Sequence, residues 1–219
     1  MKFFKAVIYD IDGTILNTLN MNMYPLIRII REETGEEWSF EKVLKFAAYP
    51  GMKVMEELKV KNPEQVYARW VKYVNEYEEG AVLYDGFEEV LPKLGEKFRQ
   101  AVVSAKTREQ YEIDFCEKGL DRYMETAVLA GDTREHKPNP EPLLKCAERL
   151  RIAPEEAVYV GDARSDQEAA RRAGMTFGYA GWGNEGIPGM GLSEEQILSE
   201  GGLVFRRPLD LLKLLEYAQ

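Results

Sequence analysis

After Tyr84-Asp85-Gly86 the chain alternates short apolar runs with amphipathic segments, and this alternation restricts the fold more than any other feature of the sequence. Residues 101–104, 127–130, Ala157–Gly161 and 176–179 read as strands, with helices at 108–118, 140–150 and 166–173. Asn139 before Pro140 suits an N-cap followed by proline in the first turn, and Ser165 with Glu168 reads as a capping box. Regular β-α alternation calls for a parallel sheet with helices on both faces. One further strand, residues 5–9, precedes all of this and opens into Asp10-Ile11-Asp12-Gly13-Thr14. Between that strand and the rest the pattern is wholly helical. Met23, Leu26, Ile27 and Ile30 follow i, i+3, i+4, i+7 spacing, which places Pro25 in a first turn, where proline is tolerated. Segments 40–49, 52–60 and 64–79 continue as amphipathic helices, parted by Pro50-Gly51 and Asn62-Pro63. The expected architecture is therefore α/β: a doubly wound parallel sheet of Rossmann-like type from residues 1–18 and 84–219. A helical domain, 19–83, is inserted through linkers near 15–19 and 80–84.

Composition narrows the partners. The formal charge is −9, from 29 basic and 38 acidic residues, and no basic stripe is visible, so nucleic acid and anionic membranes are not expected partners. The apolar runs 6–9 and 211–215 are far shorter than the ~20 residues of a membrane span. Met1-Lys2-Phe3-Phe4-Lys5 leads straight into a strand pattern without a signal-peptide core. Cys116 and Cys146 lie apart in helical segments, and a single histidine, His136, makes a zinc site a poor fit. The expectation is a cytoplasmic protein, a monomer or weak homodimer, with reduced thiols.

In an open α/β sheet, ligands bind beyond the carboxyl ends of the strands. Asp10 and Asp12 close the first strand, Ser104 closes another, and Asp162 follows Ala157–Gly161. Asp10 and Asp12, two apart in extended chain, face one crevice, and a turn entering a helix aims Asp162 and Asp166 at a common point. Taken singly, each has a plain structural reading as a turn residue, a helix cap or a solvated loop charge. Taken together they repel: one ionised pair at about 4 Å costs on the order of 4 kcal/mol at an effective dielectric of 20. Lys137 offsets one charge, and a hard divalent cation such as Mg2+ offsets two more through oxygen ligands.

These residues resemble the haloacid dehalogenase superfamily, in its phosphatase branch with a small helical cap. Asp10-Ile11-Asp12-Gly13-Thr14 matches the first family motif, and Ser104 after Ala101-Val102-Val103 the second. Lys137-Pro138 matches the third, and Gly161-Asp162-Ala163-Arg164-Ser165-Asp166 the fourth. The resemblance implies that Asp10 is the nucleophile and forms an aspartyl-phosphate. It implies that Asp12 is the general acid, then the base, and that Ser104 and Lys137 bind phosphoryl oxygens. Magnesium would be held by Asp10, the main-chain carbonyl of Asp12, and Asp162, with Asp166 in support. An acid at position 12 favours phosphoryl transfer over dehalogenation.

Three features depart from the pattern: Asn17 where relatives often carry Asp, Ser104-Ala105-Lys106 for the commoner hydroxyl-Asn-Lys, and the cap loop Tyr49-Pro50-Gly51-Met52-Lys53, which keeps the glycine without a substrate-defining signature. They bear on substrate preference, not on chemistry, and Lys53 is the candidate contact for the non-phosphate end. The expected substrate is a small phosphorylated metabolite. The alternatives are a sugar-phosphate mutase of the β-phosphoglucomutase type and a non-catalytic phospho-ligand sensor.

Overall fold

The computed structural model describes residues 3–47, 49–187 and 189–218. In chain order, β1 (Ala6–Tyr9) and β2 (Leu16–Asn17) precede the helices α1 (Leu19–Thr34), α2 (Phe40–Val43), α3 (Gly51–Glu57) and α4 (Pro63–Asn75). Then follow β3 (Val82–Leu83), α5 (Phe87–Gly95), β4 (Arg99–Val103), α6 (Arg108–Tyr111), β5 (Thr126–Val128) and α7 (Glu141–Leu150). The chain ends through β6 (Ala157–Gly161), α8 (Arg164–Ala173), β7 (Thr176–Ala180), α9 (Glu194–Ser199) and β8 (Leu203–Phe205). It divides into two compact units, Met1–Asn17 with Leu83–Glu185 and Gly191–Gln219, and Thr18–Val82 with Gly186–Met190. No helix among the described residues is long and apolar enough to cross a membrane.

The first unit is built on a parallel six-stranded sheet of order β5-β4-β1-β6-β7-β8. The chain winds outward from β1 through β4 to β5, then returns to β6 on the other side of β1. That reversal is the switch point at which open α/β sheets bind ligands. Ala6 is level with both Arg99 and Ala157, so β4, β1 and β6 begin together and end within one residue of one another. All four residues of β1 are buried, as a strand covered on both faces must be. Ala6 and Ile8 pack into a cluster with Leu143, Cys146 and Leu150 of α7 and Ala169, Ala170 and Ala173 of α8. Tyr9 turns the other way and meets the edge of Phe87 in α5. Burying each large apolar side chain contributes about 1.5–3 kcal/mol.

Several local expectations need correction. α8 begins before Ser165, so no capping box forms there; Ala163 is the cap residue, and the carboxylate of Asp166 accepts its N–H at 3.0 Å. The first-turn carboxylate thus satisfies the N–H of the cap residue, while the alanine offers no side-chain acceptor to the first helical N–H groups. α7 starts one residue late, with Pro140 at the cap position, although Asn139 Oδ1 accepts from Glu141 N at 3.0 Å. The expected helix 108–118 is four α-helical residues followed by a π-turn, Glu112–Cys116. β8 was not anticipated, because three residues behind Gly201-Gly202 are too few to show a period.

In the second unit, α1 starts at Leu19, so Pro25 lies inside the helix and supplies no N–H to the Met21 carbonyl. The buried stripe runs through Met21, Leu26, Ile29 and Ile30, and Ile29 takes the buried place expected of Ile27. Gly35 ends the helix in the left-handed conformation, φ 73°, with its N–H on Arg31 O. Trp70 of α4 is buried, and its indole donates to Asn22 O at 3.1 Å.

Candidate active site

Asp10 follows β1 directly, and its N–H continues the ladder to Val160 O at 2.8 Å. Beyond it the chain turns at once: Thr14, Ile15 and Leu16 all donate to Ile11 O. Gly13 makes this turn with φ 74°, and a Cβ there would come within 2.7 Å of the Asp162 carboxylate. Glycine is required twice over, for its backbone and for the approach of Asp162. Gly161 is required for close approach alone, since a Cβ would lie 2.6 Å from the Asp166 carboxylate.

Asp10, Asp162 and Asp166 each present a carboxylate oxygen within 4.8 Å of the others. Lys137 lies among them, with Nζ 3.0 Å from Asp10 Oδ1 and 2.7 Å from Asp166 Oδ1. It also donates to the Tyr159 hydroxyl at 2.8 Å. Asp166 is fully buried, its two oxygens taken by Lys137, Tyr159 and the Ala163 N–H. Asp162 accepts from Thr14 Oγ1 at 3.3 Å, and its carbonyl accepts from Asn184 Nδ2 at 2.6 Å.

Burial pushes the Asp10 carboxyl up to about 7; Lys137 pulls it back, and Asp166 and Asp12 raise it further. The Asp162 carboxyl is pushed well above the carboxylate range, first by burial and then by Asp166 and Asp10. Burial lowers the Lys137 ammonium, but Asp10 and Asp166 outweigh that and hold it above its usual value. Three converging carboxylates against one ammonium leave negative charge that burial penalises. An all-oxygen donor set with uncompensated charge fits a hard divalent cation, which would lower both raised carboxyls.

Ser104 lies just past β4, its N–H on Val128 O at 3.0 Å. Its Oγ accepts the N–H of Lys106 at 3.2 Å, which leaves the hydroxyl proton free to donate. Asp10, Asp12, Ser104 and Lys137 line one cleft of about 210 Å³, together with Thr133, His136 and Ser165. His136 sits exposed at its margin. Lys53, in the helical unit, places its ammonium 4.6 Å above the Tyr49 ring.

Residues 7–180 match the family described as haloacid dehalogenase-like hydrolase. The chain belongs to this family. Among haloacid dehalogenase-like hydrolases and their kin it is 32% identical, over 97% of both chains, to a phosphoglycolate phosphatase of Aquifex aeolicus. It is 26% identical to the pyrophosphatase PpaX of Bacillus cereus, over 81% of this chain and 83% of that one. A haloacid dehalogenase-like family hydrolase from Streptococcus pneumoniae shares the fold with a TM-score of 0.80 at 16% identity, covering 98% of this chain and 100% of that one.

Two side chains in this haloacid dehalogenase-like site are missed by the sequence reading. Tyr159 reads as a core residue of a buried strand, and only the sheet shows its hydroxyl under Lys137. Lys106 keeps the lysine of the hydroxyl-Asn-Lys pattern and is given no role by the sequence, yet its ammonium lies 3.0 Å from Asp12 Oδ1. The signal was available: a lysine two residues past a hydroxyl at a strand end is near enough to reach the crevice.

Proposed function

We propose that this haloacid dehalogenase-like hydrolase is a magnesium-dependent phosphatase of small phosphate monoesters. The observation that carries the reading is the placement of Lys137 between Asp10 and Asp166, with Asp162 beside them and Asp12 on the same cleft. In this reading an Asp10 oxygen attacks phosphorus while the bond to the leaving oxygen breaks and Asp12 protonates that oxygen. Asp12 then takes a proton from water as the water oxygen bonds to phosphorus and the Asp10–phosphorus bond breaks. Inorganic phosphate leaves, the Asp10 carboxylate is restored and Asp12 is again protonated. Ser104 and Lys137 hold phosphoryl oxygens and offset the charge that develops on them. Asp10, the Asp12 carbonyl and Asp162 would hold magnesium, with Asp166 in support; when bound, it would neutralise charge on the carboxylates and the phosphoryl group.

The helical unit, 19–83, is proposed to select substrates by size, with Lys53 touching the non-phosphate end. Relatives named phosphoglycolate phosphatase and pyrophosphatase support a small anionic substrate. The overall charge of −9 opposes such a ligand at long range, so its capture rests on local donors. The test is a panel of phosphorylated metabolites incubated with magnesium, reading phosphate release. Release from a small monoester without an isomerised sugar product supports the reading. An isomerised product without net release would make the protein a mutase, and binding without turnover would make it a sensor.

A further inference from the structure

Lys106 is a buried lysine with two carboxylate partners. Its side chain is 7% exposed, with Nζ 3.0 Å from Asp12 Oδ1 and 2.5 Å from Asp114 Oδ2. Asp114 is itself buried and belongs to the π-turn Glu112–Cys116. Such turns recur at functional sites because one extra residue re-aims a side chain. Burial alone would lower the Lys106 ammonium, but Asp12 and Asp114 outweigh it and keep the group cationic. An ion pair this buried is weak evidence of a stabilising role, since desolvation offsets most of the Coulomb gain.

The Asp12 carboxyl shows what the pair achieves. Its side chain is 39% exposed, yet Oδ1 is buried and takes no hydrogen bond. Oδ1 faces the Lys106 charge, so the exposure belongs to the rest of the group. A proton on Oδ1 would point at an ammonium, which leaves Oδ2 as the oxygen that exchanges protons. The backbone reinforces the arrangement, because Lys106 N–H donates to Ser104 Oγ on the same cleft.

We propose that Lys106, anchored by Asp114, is a positioning residue that turns Asp12 Oδ2 toward the leaving-group oxygen. This rests on the acid–base role given above to Asp12. Its proton passes from Oδ2 to the leaving oxygen as the phosphorus–oxygen bond breaks and Asp10 bonds to phosphorus. General acid catalysis of this kind contributes about 10²–10⁴-fold, and small misplacements of the acid lose part of it.

The test measures kcat/KM, with magnesium, on aryl phosphates from 2,4-dinitrophenyl to phenyl phosphate. For an active phosphatase, kcat/KM reports phosphoryl transfer to Asp10 rather than the later hydrolysis. A misplaced acid hurts poor leaving groups most, so in Lys106→Met the dinitrophenyl-to-phenyl ratio should rise about tenfold or more. Asp114→Asn should shift the ratio the same way but less, and Lys106→Arg should recover much of it. Lys106→Met strands Asp114 as a buried charge, so the folded double variant Lys106→Met/Asp114→Leu is measured as well and should keep the raised ratio. Equal loss across all leaving groups in folded variants would overturn the proposal and make Lys106 a structural or phosphate-contacting residue. Asp12→Asn serves as the control: if it too leaves the ratio unchanged, the acid assignment itself fails. If it raises the ratio while Lys106→Met does not, only this inference falls.

Discussion

Lys137 Nζ donates to the Tyr159 hydroxyl at 2.8 Å, so the ammonium lodged among the three clustered carboxylates rests on a buried phenol. That hydroxyl in turn lies 3.2 Å from both Val103 O and Asp166 Oδ1, and its proton goes to one of them. The cation is thereby fixed from the sheet side, with its remaining reach directed at Asp10.

Tyr159→Phe should therefore act on Lys137 rather than on packing. It removes hydrogen bonds at full burial and is expected to cost about 1–2 kcal/mol in denaturant unfolding. Through the freed Lys137, kcat should fall by about tenfold with KM little changed, as measured in steady-state assays with magnesium. An unchanged kcat would show that Lys137 holds its place without the phenol.

Asp10→Asn and Asp12→Asn should fail differently. The first removes the nucleophile and should yield no phosphoenzyme by intact-protein mass spectrometry. The second keeps it, so 2,4-dinitrophenyl phosphate should still phosphorylate Asp10 while hydrolysis of the adduct slows by about 10²-fold or more. Near-normal turnover by Asp10→Asn would sink the assignment.

Chelation should remove activity and also expose a pH dependence of stability. In EDTA, the folded Asp10 carboxyl, raised to about 7 from an ordinary 3.8, keeps its proton where the unfolded chain has lost it. Between those values the folded state binds more protons, so rising pH favours unfolding, and Asp162 acts in the same direction. Asp10→Asn cannot ionise there, so it should gain stability relative to the parent as pH rises from 5 to 8 in EDTA. Magnesium should stabilise the parent more at pH 8 than at pH 5, and calcium should not restore turnover. Thermal melts across that range check both signs; a parent-to-variant difference independent of pH would refute them.

Lys53→Ala should lower kcat/KM on the best metabolite found in the panel while sparing p-nitrophenyl phosphate. Its ammonium packs on the Tyr49 ring, a contact worth about 0.5–1 kcal/mol when exposed, so folding should survive its loss. Equal effects on both substrates would remove Lys53 from substrate recognition.

What the sequence conveyed and what it hid divide along a physical line. The parallel sheet was legible because each buried strand is a continuous apolar run between amphipathic helices, and β6 matched its expected limits, Ala157–Gly161. The gathering of Asp10, Asp162 and Asp166 was legible because strand ends in such a sheet converge. The cap of α8 was misread because Asp166, chosen for the crevice, also accepts the Ala163 N–H, and sequence spacing cannot show one carboxylate serving both. Asp114 was hidden for a different reason. A helical pattern with period 3.6 puts it on a definite face, but the π-turn adds a residue and re-aims it at Lys106. Pro25 misled because packing of the α1 stripe overrides a local propensity.

The strand order β4-β1-β6 has a consequence for how this protein comes into being on the ribosome. β1 is made well before its neighbours across the sheet, for Tyr9 is level with Val102 on one side and Val160 on the other. The helices α1 to α4 are synthesised in the interval and can pack among themselves, since their contacts are local. β1, all apolar and with neither partner yet translated, must wait as an unpaired strand. Nascent chains stalled between the end of the helical unit and residue 157 should accordingly carry a folded helical unit and no phosphatase activity, and β1 is the segment that needs protection from aggregation until β4 and β6 have followed it.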